Sequence, residues 1–317
     1  MNPFIHLPIA GDSVSVLLLI GLGLGVGFLS GLFGVGGGFL LTPLLIMIGI
    51  PPTVAAASDS NQIVAASTSG TLAHWRRGNV DLKMGLYLLL GGVVGGTLGV
   101  QIIKILRTKG NADFVIELTY IIMLGIIGVY MFQESLQNLK GPRAVVKIRL
   151  REDKHIKAEK KPIWITKFYQ SLPFQTHFEK SGVTLSILTP FFLGMMVGIL
   201  AAIMGVGGGF IMVPVMVYML RMPMHVVVGT SLFQILFTCI NVTFMQSMYN
   251  QTVDIVLALI LLVGSTIGAQ IGAKVSDRLN ADQLKIILAS IVLLVMIQMT
   301  FGLFAYPDLI LSLKGGH

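Results

Sequence analysis

The stretch that decides the fold occurs twice. Gly34–Phe39 reads GVGGGF, and the same six letters return at Gly205–Phe210, 171 positions later. Two prolines follow each copy at that same offset: Pro43 and Pro52, then Pro214 and Pro223. Glycine-rich apolar segments can resemble one another by chance, but this many identities in register indicate a duplicated unit.

The rest of the composition is that of a membrane protein. Apolar residues make up 54% of the chain and charged residues only 11%, whereas soluble domains carry about 25% charged residues. Runs of about 20 apolar residues are typical of membrane-spanning helices. Such runs are Ser13–Phe33, Val54–Ala73, Met84–Leu106, Phe114–Phe132, Val183–Met204, Met224–Met245, Ile255–Ala273 and Leu284–Ala305. Two shorter apolar pieces, Phe39–Ile50 and Phe210–Leu220, follow the glycine stretches.

We therefore predict an all-α polytopic membrane protein with a first transmembrane repeat over 13–136 and a second over 183–305. Each repeat would hold about five membrane segments, with a short broken helix after its glycine stretch. The linker, 137–182, carries 11 of the 22 basic residues, so the positive-inside rule places it in the cytoplasm.

An odd number of segments per repeat inverts the second repeat and places both termini outside. This arrangement leaves 18 basic residues inside and 4 outside, whereas parallel repeats of four crossings leave 15 and 7. The charge distribution favours inverted repeats in a multi-pass protein of the plasma (inner) membrane, with the lipid bilayer as its surroundings and no nucleic acid as partner.

Consecutive glycines disfavour helix by about 1 kcal/mol each relative to alanine, so both stretches are expected to be unwound within the membrane. The short helices that follow would begin with free N–H groups and positive partial charge, and secondary transporters aim such helix starts at anions. The alternative role for glycines is close helix packing. We prefer that role for two sets of glycines spaced by four, which are Gly91, Gly95 and Gly99, and Gly264, Gly268 and Gly272. The candidate substrate-binding residues are Gly36, Gly37, Gly38, Phe39, Gly207, Gly208, Gly209 and Phe210.

A polar cluster follows in the next helix, where residues 58–62 read SDSNQ, about 9–14 Å from the helix end. From the cluster and its second-half counterpart we add Ser58, Asn61, Gln62, Thr230, Ser231, Gln234 and Asn241 as candidate substrate contacts. Interhelical hydrogen bonds are the alternative role for these side chains. A carboxylate at this depth costs at least about 2.5 kcal/mol and usually marks an ion or proton path. Asp59 is therefore a candidate coupling residue for a proton or Na⁺, with a neutral structural aspartate as the alternative.

The sequence offers little for catalysis. These segments contain no nucleophile–base pair and no metal-ligand spacing, and Cys239 is the single cysteine. An enzyme needs such a constellation, so we expect no enzymatic activity, no metal and no cofactor.

Together these features resemble a known family. The doubled GVGGGF with its prolines, the polar-centred helix and the stretch His74–Asp81, which reads HWRRGNVD, are similar to the TauE/SafE sulfite exporter family, also called the toluene sulfonate uptake permease family. The resemblance implies a plasma-membrane transporter of small sulfur-containing anions, such as sulfite, thiosulfate or organosulfonates, working by alternating access. An anion channel, or a membrane anchoring or assembly protein acting through the basic linker, remains the alternative.

Overall fold

The computed structural model describes residues 4–33, 38–139, 173–216, 220, 222–276 and 281–305. Most of these residues are helical. The first half contains α1 (Val16–Phe33), α2 (Gly38–Met47), α3 (Pro52–Arg76), α4 (Leu82–Thr108) and α5 (Ala112–Leu139). The second half contains α6 (Leu188–Met204), α7 (Gly209–Pro214), α8 (Met224–Met245, continued by a π-helical turn Gln246–Asn250), α9 (Ile255–Ser276) and α10 (Ala281–Ala305). The order of helices is therefore the same in the two halves.

The prediction of an all-α polytopic membrane protein is confirmed. Within the described ranges, five helical segments are long and apolar enough to cross a membrane: Leu82–Thr108, Ala112–Tyr130, His225–Asn250, Ile255–Gly272 and Ile286–Leu303. The apolar parts of α1, α2 and α6 are shorter. Helix α3 has 25 residues but is less apolar, because the polar cluster lies in its middle.

Each half also begins with a small antiparallel hairpin that the apolar runs do not predict. Strands β1 (Phe4–His6) and β2 (Ser13–Ser15) precede α1, and β3 (Gln175–Phe178) and β4 (Val183–Ser186) precede α6. Residues 4–15 and 175–186 are again 171 positions apart. The correspondence between the halves thus extends before the bounds 13–136 and 183–305, which remain a prediction. The sequence analysis missed the hairpins because their strands have only three or four residues, and the strands of the first hairpin have few residues identical to those of the second.

The two halves are packed into each other rather than side by side. Helix α1 of the first half packs against α9 of the second, and α4 of the first half packs against α6 of the second. The two pairs are equivalent, because α6 is the counterpart of α1 and α9 is the counterpart of α4. Glycines make these contacts close: a Cβ atom at Gly95 would lie 2.0 Å from the carbonyl oxygen of Met195, and one at Gly268 would lie 2.1 Å from that of Leu24. The packing role predicted for glycines spaced by four is therefore present in both pairs.

Equivalent helices of the two halves run in opposite directions. Where α3 crosses α8, Gly70 faces Leu232, and His74 faces Gly229, so residue numbers rise along one helix as they fall along the other. Helices α5 and α10 show the same antiparallel relation, with Gly125 beside Met296 and Gly128 beside Leu293. These are the directions that inverted repeats require; the orientation of the halves in a membrane stays a prediction.

The close contact of α1 with α9 yields a stability prediction. A Cβ atom at Gly27 would lie 2.2 Å from the carbonyl oxygen of Ser265, whereas one at Gly25 would meet no atom within 4 Å. Overpacking costs about 1–3 kcal/mol, so we expect Gly27→Ala to lower the thermal unfolding midpoint of the detergent-solubilised protein. Gly25→Ala, in the same helix, is the matched control and should leave the midpoint unchanged or raise it, because alanine favours helix over glycine. Equal midpoints for the two variants would contradict this account of the α1–α9 contact.

Candidate functional site

The second glycine stretch is unwound, as the sequence predicts. Helix α6 ends at Met204 and α7 begins at Gly209. Between them Gly205, Gly207 and Gly208 have φ angles of 73°, 69° and 72°, a left-handed conformation that glycine adopts without steric cost. In the first copy, Gly36 and Gly37 lie outside the described residues, and Gly38 begins α2.

This unwound stretch has unused hydrogen-bond donors. Among the described residues, the backbone N–H groups of Val206, Gly207 and Gly208 have no acceptor. The carbonyl oxygen of Gly208 already accepts from the N–H groups of Ile211 and Met212. All residues from 205 to 209 are buried. Unpaired buried N–H groups are rare in proteins, so this position is suited to a ligand that accepts hydrogen bonds.

The first half of the chain holds the carbonyl groups of the same stretch. The Tyr120 hydroxyl of α5 donates a hydrogen bond to the carbonyl oxygen of Met204. The Ser60 Oγ of α3 lies 3.2 Å from the carbonyl oxygen of Gly205. A Cβ atom at Gly205 would lie 2.0 Å from the carbonyl oxygen of Ala56, so the backbone of α3 lies directly against the stretch. These contacts fix the conformation of the stretch and leave its N–H groups without an acceptor in the described part of the chain.

Asp59 lies against the first turn of the other short helix, α2. Its side chain is fully buried, and its Oδ2 accepts a hydrogen bond of 2.7 Å from the Thr42 hydroxyl. A Cβ atom at Gly38 would lie 3.2 Å from that oxygen. The other carboxylate oxygen, Oδ1, has no hydrogen-bond partner among the described residues. The start of α2 is thus occupied by a carboxylate of the protein itself.

The two short-helix starts lie on either side of one side chain. Ile63 of α3 would be 2.3 Å from a Cβ atom at Gly38, through its Cδ1, and 3.2 Å from one at Gly207, through its Cγ2. The Sγ of Cys239 approaches the same position of Gly207 within 2.9 Å. We call Gly38, Asp59, Ile63, Gly207 and Cys239 the crossing site, because it lies where α3 crosses α8.

Other predicted contacts lie elsewhere. Gln234 donates through Nε2 to the Thr238 hydroxyl at 2.9 Å, and Asn241 lies 3.3 Å from the carbonyl oxygen of Val93 on α4. The Ser231 hydroxyl donates to the carbonyl oxygen of Val228 in its own helix. These hydrogen bonds lie within and between helices, as in the alternative role that the sequence left open, whereas Gln234 Oε1 is buried and has no partner among the described residues.

The remaining candidates stay predictions as substrate contacts. Gln62 is buried, and its Oε1 has no partner among the described residues. Asn61 is half-buried, Phe39 is buried, and Phe210 belongs to the first turn of α7. Ser58 and Thr230 hydrogen-bond to the loops that follow α8 and α3. In the described part of the chain, no group of three or more His, Cys, Asp or Glu residues could hold a metal ion.

Sequence reasoning missed three hydroxyl groups at the site. Thr42 is the single hydroxyl residue of α2, whose sequence is GFLLTPLLIM. Ser60 was part of the polar cluster but not a candidate, and Tyr120 lies in an apolar helix 60 residues farther on. Of the three, Thr42 alone is a single hydroxyl in an apolar segment, and that signal does not say that its partner is the Asp59 carboxylate.

The Tyr120 contact yields a second stability prediction. Tyr120→Phe would leave the buried carbonyl oxygen of Met204 without its donor, which costs about 1–3 kcal/mol. We expect a lower thermal unfolding midpoint in detergent than for the parent protein. The control is Tyr249→Phe, since the Tyr249 side chain is half exposed and its hydroxyl makes no hydrogen bond among the described residues. If the control destabilises the protein as much, the Tyr120–Met204 contact does not support the unwound stretch.

Comparisons with known proteins place the chain in a family. A solved structure that matches it was not found. The probable membrane transporter protein YjnA of Bacillus subtilis (strain 168) is 28% identical, over 89% of this chain and 97% of the relative. YunE of the same organism, also described as a probable membrane transporter protein, is 25% identical over 92% of this chain and all of the relative.

A plant protein matches a shorter part. Sulfite exporter TauE/SafE family protein 1 of Arabidopsis thaliana is 31% identical over 36% of this chain and 25% of its own length. The family model described as sulfite exporter TauE/SafE matches residues 19–299, a range that contains both glycine stretches and the whole crossing site. The chain therefore belongs to the TauE/SafE sulfite exporter family of membrane transporters.

Proposed function

We propose that the protein is a secondary transporter that moves a small sulfur-containing anion, such as sulfite, thiosulfate or an organosulfonate, across the plasma membrane by alternating access. One observation carries the proposal. The N–H groups of Val206, Gly207 and Gly208 are buried just before α7 and have no acceptor among the described residues. Sulfur oxyanions present several hydrogen-bond acceptors on a small negative group, which is the ligand that such N–H groups favour.

The burial of the site favours a transporter over a channel. Asp59, Gln62 and residues 205–209 are all buried, whereas a channel needs a continuous path for its ion. Binding and release then require a conformational change that exposes the site to one side at a time. The antiparallel relation of α3 and α8 supports an arrangement in which the two halves exchange roles in this change.

We further propose that Asp59 couples anion movement to a proton. The Ile63 side chain lies against both Gly207 and Gly38, the first residue of α2, beside which the Asp59 carboxylate lies. An ionised carboxylate there would repel an anion on the neighbouring N–H groups, because charges interact strongly where water is excluded. A protonated Asp59 would be neutral and would donate a hydrogen bond through Oδ1, which has no partner among the residues that the structure describes. Loading the proton and the anion together would therefore be favoured over loading the anion alone.

The anion proposal is tested by binding to purified protein. Sulfite, thiosulfate, sulfoacetate and taurine are titrated by isothermal calorimetry, and we expect saturable binding of at least one. The methyl group of Gly207→Ala would lie 2.7 Å from Ile235 Cγ2 and 2.9 Å from Cys239 Sγ, which would displace the unwound stretch. The variant should therefore weaken that binding about tenfold, the equivalent of one lost hydrogen bond to a charged group.

The matched control for the calorimetry is Gly110→Ala. Gly110 has a φ of +74°, close to that of Gly207, and a Cβ atom there would meet no atom within 4 Å. Gly110→Ala therefore strains the backbone as Gly207→Ala does, but the substituted residue lies in the loop between α4 and α5, away from the crossing site. Binding that is equal in the two variants, or absent for all four anions in the parent, would overturn the anion proposal.

The coupling proposal predicts the behaviour of Asp59→Asn. Asparagine retains an oxygen that accepts from the Thr42 hydroxyl but cannot gain or lose a proton. Anion flux into proteoliposomes is measured across pH 5.5–8.5, with and without an imposed pH gradient. We expect the gradient to drive flux in the parent, whereas Asp59→Asn binds the anion and exchanges it without responding to the gradient.

The control for the flux measurement is Asp12→Asn, which neutralises an exposed aspartate and should respond to the gradient as the parent does. The same assay is run with and without Na⁺. A full gradient response in Asp59→Asn, or a parent flux driven by Na⁺ and not by protons, would contradict proton coupling through Asp59.

A further inference from the structure

Two aspartates that the proposed mechanism does not use make matching contacts in the two halves. The backbone N–H of Asp254 donates to Ser58 Oγ at 3.1 Å. The backbone N–H of Asp81 donates to Thr230 Oγ1 at 3.0 Å. Asp81 and Asp254 are 173 positions apart, and Ser58 and Thr230 are 172 apart. The duplication has thus preserved a hydrogen bond between a loop of one half and a helix of the other.

Each aspartate also binds the hairpin that precedes a half. Asp254 Oδ2 accepts from the N–H of Ile9 at 3.0 Å, and Asp81 Oδ2 accepts from the N–H of Ser181 at 3.1 Å. Each remaining oxygen caps the helix that follows, since Asp254 Oδ1 accepts from Leu257 and Asp81 Oδ1 accepts from Met84. We call Ile9, Ser58 and Asp254 the Asp254 cluster.

The second set, Ser181, Thr230 and Asp81, is called the Asp81 cluster. The two clusters lie at opposite ends of the crossing site. Ser58 is in the second turn of α3, and Thr230 is in the second turn of α8. Because α3 and α8 are antiparallel, their beginnings are at opposite ends of the crossing. Ser58 directly precedes Asp59, so the Asp254 cluster adjoins the buried carboxylate.

We propose that the two clusters are the two gates of the transport cycle. The Asp254 cluster closes the site from outside, and the Asp81 cluster closes it from the cytoplasm, where the basic linker precedes β3. This inference rests on the proposed transport function and assigns the parts that open. Both clusters are formed here, which agrees with a site that is closed on both sides. Opening one gate separates a hydroxyl from an aspartate N–H without breaking the carboxylate cap of α4 or α9.

The clusters differ in strength. The Ser181 hydroxyl donates a second hydrogen bond to Asp81 Oδ2, at 2.5 Å. Lys180 Nζ donates to the carbonyl oxygen of Val80 at 3.0 Å. In the first hairpin, the residue whose N–H donates to the aspartate is Ile9. Its side chain has no hydroxyl, so it cannot make the second hydrogen bond that Ser181 makes. The loop that carries Asp81 is therefore held by more hydrogen bonds than the loop that carries Asp254, so the protein without substrate should open outward more often than inward.

The chain carries its own reporter for the state of the gates. Cys239 is the single cysteine, it is buried, and it lies at the crossing site beside Gly207. A membrane-impermeant maleimide is applied to right-side-out and inside-out vesicles that hold the full chain. The parent should react slowly from both sides, and faster from outside than from the cytoplasm.

Two variants open the gates separately. Ser58→Ala should speed labelling of Cys239 about tenfold from outside only, and Thr230→Val should speed it about tenfold from the cytoplasm only, the effect of losing one buried hydrogen bond. Both substitutions leave the aspartates and their helix caps in place. The control is Thr68→Val, which removes a hydroxyl bonded only to the carbonyl oxygen of Val64 in its own helix and should change neither rate.

The result that overturns the proposal is a loss of sidedness. If Ser58→Ala and Thr230→Val speed labelling equally from both faces, or change neither rate, the clusters are structural caps and not gates. Labelling needs no anion, so this outcome is distinguishable from failure of the proposed function. Sided labelling without anion binding would retain the gates and remove the anion proposal, and anion binding without sided labelling would do the reverse.

Discussion

The structure depends on one constraint: backbone that leaves the helix inside a membrane needs a partner for its polar groups. The stretch between α6 and α7 leaves the helix because its glycines adopt left-handed φ angles. Its carbonyl groups at Met204 and Gly205 find partners in Tyr120 and Ser60, which belong to the other half of the chain. The unwound stretch can therefore exist only if the two halves interpenetrate. The glycine contacts of α4 with α6 and of α1 with α9 bring the helices close enough for this packing.

Duplication produced the architecture, and divergence produced the chemistry. At the offsets that relate the halves, Thr42 corresponds to Val213 and Asp59 to Ser231. The carboxylate and the hydroxyl that binds it thus occur in the first half alone. The unpaired N–H groups described at Val206–Gly208 belong to the second half. In the proposed mechanism one half supplies the proton-binding group and the other supplies the anion-binding backbone, and the two meet across Ile63.

The sequence predicted the features that depend on local or repeated patterns. The duplicated unit was predicted from repeated letters, and the membrane-spanning helices were predicted from the length of apolar runs. The broken helix at 205–208 was predicted because consecutive glycines disfavour helix whatever their neighbours are. The roles of polar side chains could not be predicted, because a serine or asparagine in a helix fits a ligand, a loop or a neighbouring helix equally well. Asn241 and Gln234 contact α4 and their own helix, and Ser58 contacts Asp254, a residue 196 positions away. Tyr120 was missed for the same reason, since its acceptor lies 84 positions away.

The free energy of the hydrogen bonds in the two gate clusters is in the range expected for a protein that changes conformation. A net hydrogen bond contributes about 0.5–1.5 kcal/mol, and coupling between sites typically amounts to about 1–3 kcal/mol. A gate made of two or three hydrogen bonds is therefore strong enough to keep a site closed and weak enough for the binding of one ion to open it. The helix-packing glycines are different, because their contacts join backbone to backbone and have no alternative partner. Motion is thus expected at the loops that carry Asp81 and Asp254, and the paired helices α1–α9 and α4–α6 should move as rigid units.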